Sequence, residues 1–392
     1  MESSDNHNKR KNFFYKAIKK WSFWLIAFCI GLCIWSALGV HETQFSKTAA
    51  KLTNLIVGNG WNIRSYDERG IPYSHVARLK EKVISPYYVI HTGLIYSQSI
   101  DAPSGYDWLW AEDQSFECWD ENPPVELITK NNFIHSADWI MERLEEDEFG
   151  NIHIPYHFSW SYKGTSEGVL SSPWHSGLTD AVAIKLLLRA YLVTNEECYL
   201  DASSRLYDSV LKPIGQGGSL IIDQYGNPWI EEYVARNNTN YPRVLNGMIY
   251  ATLAIRNYER FMAVESPIGD RLAKSIKIHL LEYDADYWTR YDLIGTMAKP
   301  KYHHIHVELV SMLFKETGDP YFADMASKWG NYNTHFFVRY FLKGRPTVNS
   351  LIVLSLSIFL WVLTTFITYI VFYGFSILLK RPVKPADKEG IS

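Results

Sequence analysis

The chain has 392 residues, a formal net charge of -3 and 47% hydrophobic residues. That is enough apolar material to bury a large core, and so small a charge excludes an electrostatic nucleic-acid binder. Aromatic residues reach 15%, with 14 Trp and 26 Tyr, more than a core needs and suited to a cleft that stacks against sugar rings.

In chain order, a basic tail over residues 1–20 carries Lys9, Arg10, Lys11, Lys16, Lys19 and Lys20 and precedes twenty uncharged residues, Trp21 to Val40. That run is long enough to cross a hydrocarbon layer of about 30 Å as a helix. A second uncharged stretch, within 348–379, is followed by a basic tail over 380–392 with Lys380, Arg381, Lys384 and Lys388. The excess of basic residues outside both segments predicts a two-pass membrane protein with cytoplasmic termini and its middle in a periplasm, a lumen or the exterior. Residues 41–130 read as a linker followed by a small β-containing region. Residues 131–340 read as helical, starting with Phe133, Ala137, Ile140, Met141 and Leu144 at helical intervals before the solvated acidic turn Glu145 to Glu148. Cys29 and Cys33 fall in the first apolar run, and Cys118 and Cys198 leave a disulfide open in an oxidising compartment.

A weak internal repeat marks the helical part. Thr194-Asn-Glu-Glu-Cys-Tyr-Leu-Asp-Ala and Thr317-Gly-Asp-Pro-Tyr-Phe-Ala-Asp-Met each follow a long apolar helix and open a second one. Repeated helix, short turn, helix predicts a mainly α chain forming an (α/α) barrel or toroid, with the segment Gly215 to Tyr225 as a rim hairpin. Rim loops of such folds carry the chemistry.

The most informative block runs from Trp229 to Tyr250. Glu232 and Tyr233 are two proton carriers in a turn, and Arg243, Asn246 and Tyr250 follow at helical spacings of three and four, predicting one shared helix face. The cluster His303, His304 and His306 does not read as a metal centre. On a helix His304 and His306 diverge, no cysteine is near, and only Glu308 is available as a further ligand. Hydrogen bonding to a sugar, or a place at a helix start, is the reading preferred for His303. No cofactor and no metal are expected.

Several blocks resemble the D-glucuronyl C5-epimerase family, whose members invert C5 of uronic acids within heparosan-like polysaccharides. Trp229-Ile-Glu-Glu-Tyr with Val244-Leu-Asn-Gly-Met-Ile-Tyr is similar to its EEY turn and VLNG helix. Pro173-Trp-His-Ser-Gly-Leu-Thr-Asp leading to Leu188-Arg-Ala-Tyr resembles its Trp-x-Ser helix, Tyr291-Asp-Leu its YDL segment, and Tyr302-His-His-Ile-His its final tyrosine segment. Pro86-Tyr-Tyr-Val-Ile-His-Thr-Gly-Leu is a looser match upstream, so the likeness spans about residues 70–335. The resemblance implies that Glu232, Tyr233, Tyr291 and Tyr302 are catalytic. It places Asn246, Tyr250, Arg243, Trp174, His175, Ser176, Lys301 and His303 at the substrate. It also implies a uronic-acid-containing polysaccharide as partner, beside an assembly or export machinery in the membrane, with a homodimer left open.

The chemistry requires such residues. Taking the C5 proton beside a carboxylate builds a doubly charged enolate-like species unless that carboxylate is neutralised or hydrogen-bonded. Inversion further needs an acid on the opposite ring face. Where the family carries an arginine after YDL, this chain has Ile294, leaving Lys299, Lys301 or Arg243 to supply positive charge. A lysine does not reproduce a bidentate arginine clamp. A lyase or hydrolase on the same scaffold and a non-catalytic glycan-binding envelope protein are the competing functions.

Overall fold

The computed structural model describes residues 64–75, 82–111, 122–162, 168–234 and 241–332, together with parts of 21–33 and 355–371. Two compact units form, one from residues 1–45, 335–342 and 346–392, the other from 46–334 and 343–345.

In the first unit the described residues within 21–33 and 355–371 are helical, and Phe28 meets Trp361 edge-on with ring centroids 5.8 Å apart. Among the described residues no helix is long and apolar enough to cross a membrane. This overturns the predicted spans at 21–40 and 348–379, and with them the two-pass placement with cytoplasmic termini. An uncharged run makes a span only as one continuous apolar helix of roughly 20 residues, and the described helical stretches fall short of that. The basic tails at 1–20 and 380–392 and the linker at 41–60 lie outside the described residues.

The second unit opens with a three-stranded antiparallel sheet of β1 (Ser65–Tyr66), β2 (Pro72–His75) and β3 (Lys82–Val83). Helices α1 (Pro86–Tyr96), α2 (Asp107–Trp110) and α3 (Lys130–Met141) follow. Two antiparallel pairs come next, β4 (Glu145–Glu146) with β5 (Ile152–His153) and β6 (Trp160–Ser161) with β7 (Val169–Leu170). Then come α4 (Gly177–Thr194), α5 (Glu197–Val210), the hairpin β8 (Leu220–Ile222) and β9 (Pro228–Ile230), α6 (Leu245–Met262), α7 (Gly269–His279), α8 (Pro300–Thr317) and α9 (Pro320–Gly330).

The chain is mainly helical, and its helices fall into two kinds. Helix α4 is buried on every side from Gly177 to Ala190, and α6 from Leu245 to Ile255, so neither has a polar face. Helices α5, α7 and α9 bury one stripe only, such as Leu272, Ala273 and Ile276 of α7. Each inner helix packs against an outer one, α4 with α5, α6 with α7 and α8 with α9, and α6 lies between α4 and α8.

Local sequence explains the ends. Ser176 caps α4 by accepting the Thr179 N–H at 3.3 Å, and Asp319 caps α9 through Tyr321 N at 3.0 Å. Helix α4 stops at Asn195 (φ 64°) and α8 at Gly318 (φ 69°), so both predicted repeat turns are left-handed C-caps. A second repeat went unread in the sequence. In Asp147-Glu-Phe-Gly-Asn151 and Asp223-Gln-Tyr-Gly-Asn227, one aspartate oxygen accepts the N–H groups two and four residues on. The first of these turns joins β4 to β5, so the acidic run Glu145 to Glu148 is the exposed strand β4 and a tight turn, with Glu145, Glu146 and Glu148 facing solvent. The second forms the tip of the predicted rim hairpin, whose strands begin at Leu220 rather than Gly215.

The core is fastened by a buried cation. Arg189 on α4 donates through Nε (2.9 Å) and Nη2 (2.5 Å) to the Leu109 carbonyl and through Nη1 to Ser97 Oγ at 2.6 Å. The arginine of the Leu188-Arg-Ala-Tyr block therefore ties α4 to α2 and to the end of α1. Cys198 is a free, exposed thiol on α5, and Cys118 lies outside the described residues. Replacing Arg189 by Met leaves these acceptors without their donor in a dry setting. We expect a loss of about 3–5 kcal/mol in urea unfolding.

Candidate functional site

Strand β9 delivers the acidic turn. Its end is held by Glu231 N–H donating to Ser219 O at 2.9 Å, which leaves Glu232 and Tyr233 facing the first turn of α6. Glu232 is buried, and Asn246 Nδ2 approaches its Oε2 at 3.5 Å. Gly247 is required there, because a Cβ at that position would lie 2.5 Å from Glu232 Oε2. Burial pushes the Glu232 carboxyl up to about 7, against the lowering effect of a hydrogen bond from Tyr233.

Around it the tyrosines form an array. Leu245 N–H donates to Tyr291 O at 3.2 Å, fixing the Tyr291 segment beside the start of α6. The Tyr233 and Tyr291 hydroxyls lie 3.1 Å apart, and the Tyr291 ring meets Tyr302 edge-on at 4.9 Å. Burial and the neighbouring Glu232 charge hold both Tyr233 and Tyr291 well above the ordinary phenol range, so their protons stay on at neutral pH. Trp174 stands 6.1 Å from Tyr233 and stacks on Tyr156 at 4.0 Å.

The fold thus gathers Glu232, Tyr233, Tyr291, Tyr302, Asn246 and Trp174 into one place at the N-terminal ends of α4, α6 and α8. Other predicted residues stand differently. Arg243 does not share a face with Asn246 and Tyr250, since α6 begins only at Leu245 and Arg243 sits before it with φ 52°. The steric demands of the turn override the spacing of three. Tyr250 is buried within α6, and Ser176 is the buried cap of α4. Lys301 reaches over the Tyr302 ring at 5.9 Å. His303 is fully buried, with Nδ1 at 2.9 Å from Thr289 Oγ1, Nε2 at 3.1 Å from Trp329 O and its ring stacked on Trp288. It braces α8 rather than facing the tyrosines.

Sequence reasoning missed two residues here. Tyr162, just after β6, donates to Asp292 Oδ2 at 2.7 Å and lays its ring 4.3 Å from that of Tyr233. Nothing local marks Tyr162, because its partner is 130 residues away. Asp292 was in plain view as the middle of Tyr291-Asp-Leu, and it is fully buried.

Among the described residues one group has the composition of a metal site: His153, His175 and Asp180, with one ligand atom from each within 4.8 Å of the others. Its geometry is that of a hydrogen-bonded dyad. His153 Nδ1 lies 2.8 Å from Asp180 Oδ2, and Asp180 Oδ1 accepts the Ile154 N–H at 3.0 Å. The two imidazoles stack at 3.9 Å with planes 20° apart, so their in-plane lone pairs run side by side instead of converging on one ion.

A buried carboxylate beside buried, protonated tyrosines at the inner helix ends is an arrangement suited to proton transfer. Residues 150–331 match the family model described as D-glucuronyl C5-epimerase C-terminus, a segment that holds every site residue above. Residues 150–331 thus carry the C-terminal domain that this family model describes. An uncharacterised protein of Methanocaldococcus jannaschii is 31% identical over 212 residues, 52% of this chain and 65% of that protein. The D-glucuronyl C5-epimerase of Caenorhabditis elegans is 25% identical over 221 residues, 51% of this chain and 34% of that protein. The chain therefore spans less than two thirds of either relative. Among solved structures, the cellobiose 2-epimerase of Bacillus thermoamylovorans aligns over 77% of this chain and 75% of that chain, at TM-score 0.43 and 10% identity. A D-mannose isomerase aligns over 75% and 73%, at TM-score 0.40 and 13% identity. At these scores neither carries a functional argument.

The His153 dyad has a pH consequence. Burial works against its imidazolium, but the hydrogen bond and charge of Asp180, with Asp147 adding to them, outweigh burial and raise the pKa above the ordinary histidine value. A raised pKa means the contribution is fully present below the unfolded histidine value and disappears as pH rises through the folded one. The destabilisation caused by His153→Gln, read from urea unfolding, is therefore expected to be larger at pH 5.5 than at pH 8.5, about one unit or more to either side of the unfolded value.

Proposed function

We propose that the protein is a carbohydrate epimerase that inverts C5 of a uronic acid residue within a polysaccharide. The observation that carries this reading is Glu232, a buried carboxyl with a pKa of about 7, enclosed by Tyr233, Tyr291 and Tyr302. A group poised near neutrality serves as base in one direction and acid in the other.

In the forward step Glu232 takes the C5 proton as the C5–H electron pair moves into the substrate carboxyl, giving an enediolate. A tyrosine hydroxyl on the opposite ring face then returns a proton to C5, and the electron pair moves back from the carboxyl. Tyr302, whose ring stands across Tyr291 from Tyr233, is assigned this second role. Tyr233 and Tyr291 act as neutral donors towards the developing charge. Asn246 and Trp174 bind and orient the sugar ring. Proton exchange of this kind uses only the chain's own acids and bases.

The charge of the carboxylate has to be met without the arginine that Ile294 replaces. Three inner helices, α4, α6 and α8, begin beside the site, each offering about half a positive charge from its aligned peptide dipoles. Lys301 in the first turn of α8 adds a full charge near Tyr302.

β-Elimination begins with the same proton abstraction and ends in chain cleavage, so product analysis separates the two. Incubating the protein with a glucuronate polymer in deuterated water should place deuterium at C5 without new absorbance from an unsaturated uronate. Absorbance growth would instead assign a lyase. In Glu232→Gln, exchange should fall by about a hundredfold or more with folding preserved, and in wild type kcat/KM should climb as pH rises through about 7. Undiminished exchange in Glu232→Gln would remove Glu232 as the base, whereas no exchange by wild type on any glucuronate polymer would leave a binding protein as the reading.

A further inference from the structure

The chemistry above leaves one buried acid of the acidic turn unused. Glu231 is fully buried, directly before Glu232, on the other side of the strand end. Its carboxylate accepts a single backbone group from both oxygens, Arg243 N–H, at 2.9 Å and 3.3 Å. Arg243 has φ 52°, in the left-handed region where a side chain crowds its own backbone. Nothing in the composition of the turn favours that conformation at an arginine, so the contact that holds it comes from outside the turn.

That turn is where the two halves of the site are joined. Arg243 O accepts the Tyr283 hydroxyl at 2.5 Å, Pro242 O accepts Leu293 N–H at 2.9 Å, and Leu245 N–H donates to Tyr291 O at 3.2 Å. Residues 242–245 therefore hang the Tyr291 segment on one side, while Asn246 and Gly247, next in the chain, touch Glu232 on the other.

We propose that Glu231 is a positioning residue, which holds Arg243 in its left-handed conformation and so sets the spacing of Glu232 and Tyr291 across the cleft. The proposal rests on the epimerase reading for its assay but not for its geometry. Burial without a cation in hydrogen-bonding contact pushes the Glu231 carboxyl up to about 8, despite the lowering effect of Arg243, so the neutral form that glutamine imitates is the one present at pH 7. The hydrogen bond it needs is that of an acceptor, not of a charge.

Exchange of C5 hydrogen for deuterium is measured in Glu231→Ala, Glu231→Gln, Arg243→Gly and the double variant Glu231→Ala/Arg243→Gly, with urea unfolding of all four. A misplaced acid and tyrosine lower kcat rather than binding, so Glu231→Ala should lose about tenfold to a hundredfold in kcat with KM nearly unchanged. Glu231→Gln should stay within about threefold of wild type, since it keeps the acceptor. Glycine adopts φ 52° without strain, so the Glu231→Ala loss should shrink to about threefold or less in the Arg243→Gly background. An equal loss in both backgrounds, a KM rise with kcat intact, or a Glu231→Gln defect as deep as that of Glu231→Ala would each overturn the proposal. Should Glu231→Ala not fold, the double variant must fold and turn over, and its failure to do so counts against the clamp equally. If wild type exchanges no deuterium into any uronate polymer, the epimerase reading falls alone. The clamp is then decided by the unfolding cycle, where strictly additive effects at 231 and 243 reject it.

Discussion

Glu232 owes its properties to a missing side chain. The carboxyl lies so close to α6 that any Cβ at Gly247 would overlap it, and that closeness keeps water away. Exclusion of water brings the carboxyl to about 7, and the neighbouring phenols are held protonated by the same burial and by Glu232 itself. The start of α6, the turn before it and the Tyr291 segment all have to meet within a few ångströms for this to hold. The rest of the unit can be understood as the scaffold that makes them meet.

An electrostatic constraint follows. Glu231, Glu232 and Asp292 are three buried acids at one end of the fold, and the proposed ligand is itself an anion. Neutral forms of Glu231 and Glu232 near pH 7 remove part of that repulsion, and Tyr162 donates its hydroxyl to Asp292. The positive dipole ends of α4, α6 and α8 oppose the remainder.

The periphery uses one local device repeatedly. Asp67, Asp147 and Asp223 each tie a tight turn with one carboxylate oxygen, ahead of a glycine with φ near 80°. Two of these aspartates also meet a buried histidine. Asp223 lies 2.9 Å from His279 at the end of α7, and Asp147 lies 3.8 Å from His153 of β5, which in turn meets Asp180 of α4 at 2.8 Å. The rim is held by side chains that belong to the turns themselves, leaving the inner helix ends free for the site.

Much of this was legible in the residues. Glu232, Tyr233, Asn246, Tyr291 and Tyr302 stand out because each lies in a short distinctive block, and the turns after Thr194 and Thr317 announce themselves by Asn195 and Gly318 at left-handed caps. Helix α1 was not legible as a helix, because it is buried on nearly all sides and carries no amphipathic period to read. The uncharged runs at either end were read as spans from composition alone, and among the described residues no helix is long and apolar enough to be one. What the sequence by itself determined was the mainly helical class and the likeness of residues 150–331 to the family, since these depend on residue type and short spacing; it also singled out the acid and tyrosines that the fold brings together. Only tertiary structure decided that Arg243 leaves the helix face to take a strained turn, that His303 braces the core, that Tyr162 packs on Tyr233, and that Glu231 accepts the Arg243 N–H. Those outcomes depend on partners distant in the chain, such as Asp292 for Tyr162, and no local pattern encodes which distant group will be close enough to hydrogen-bond.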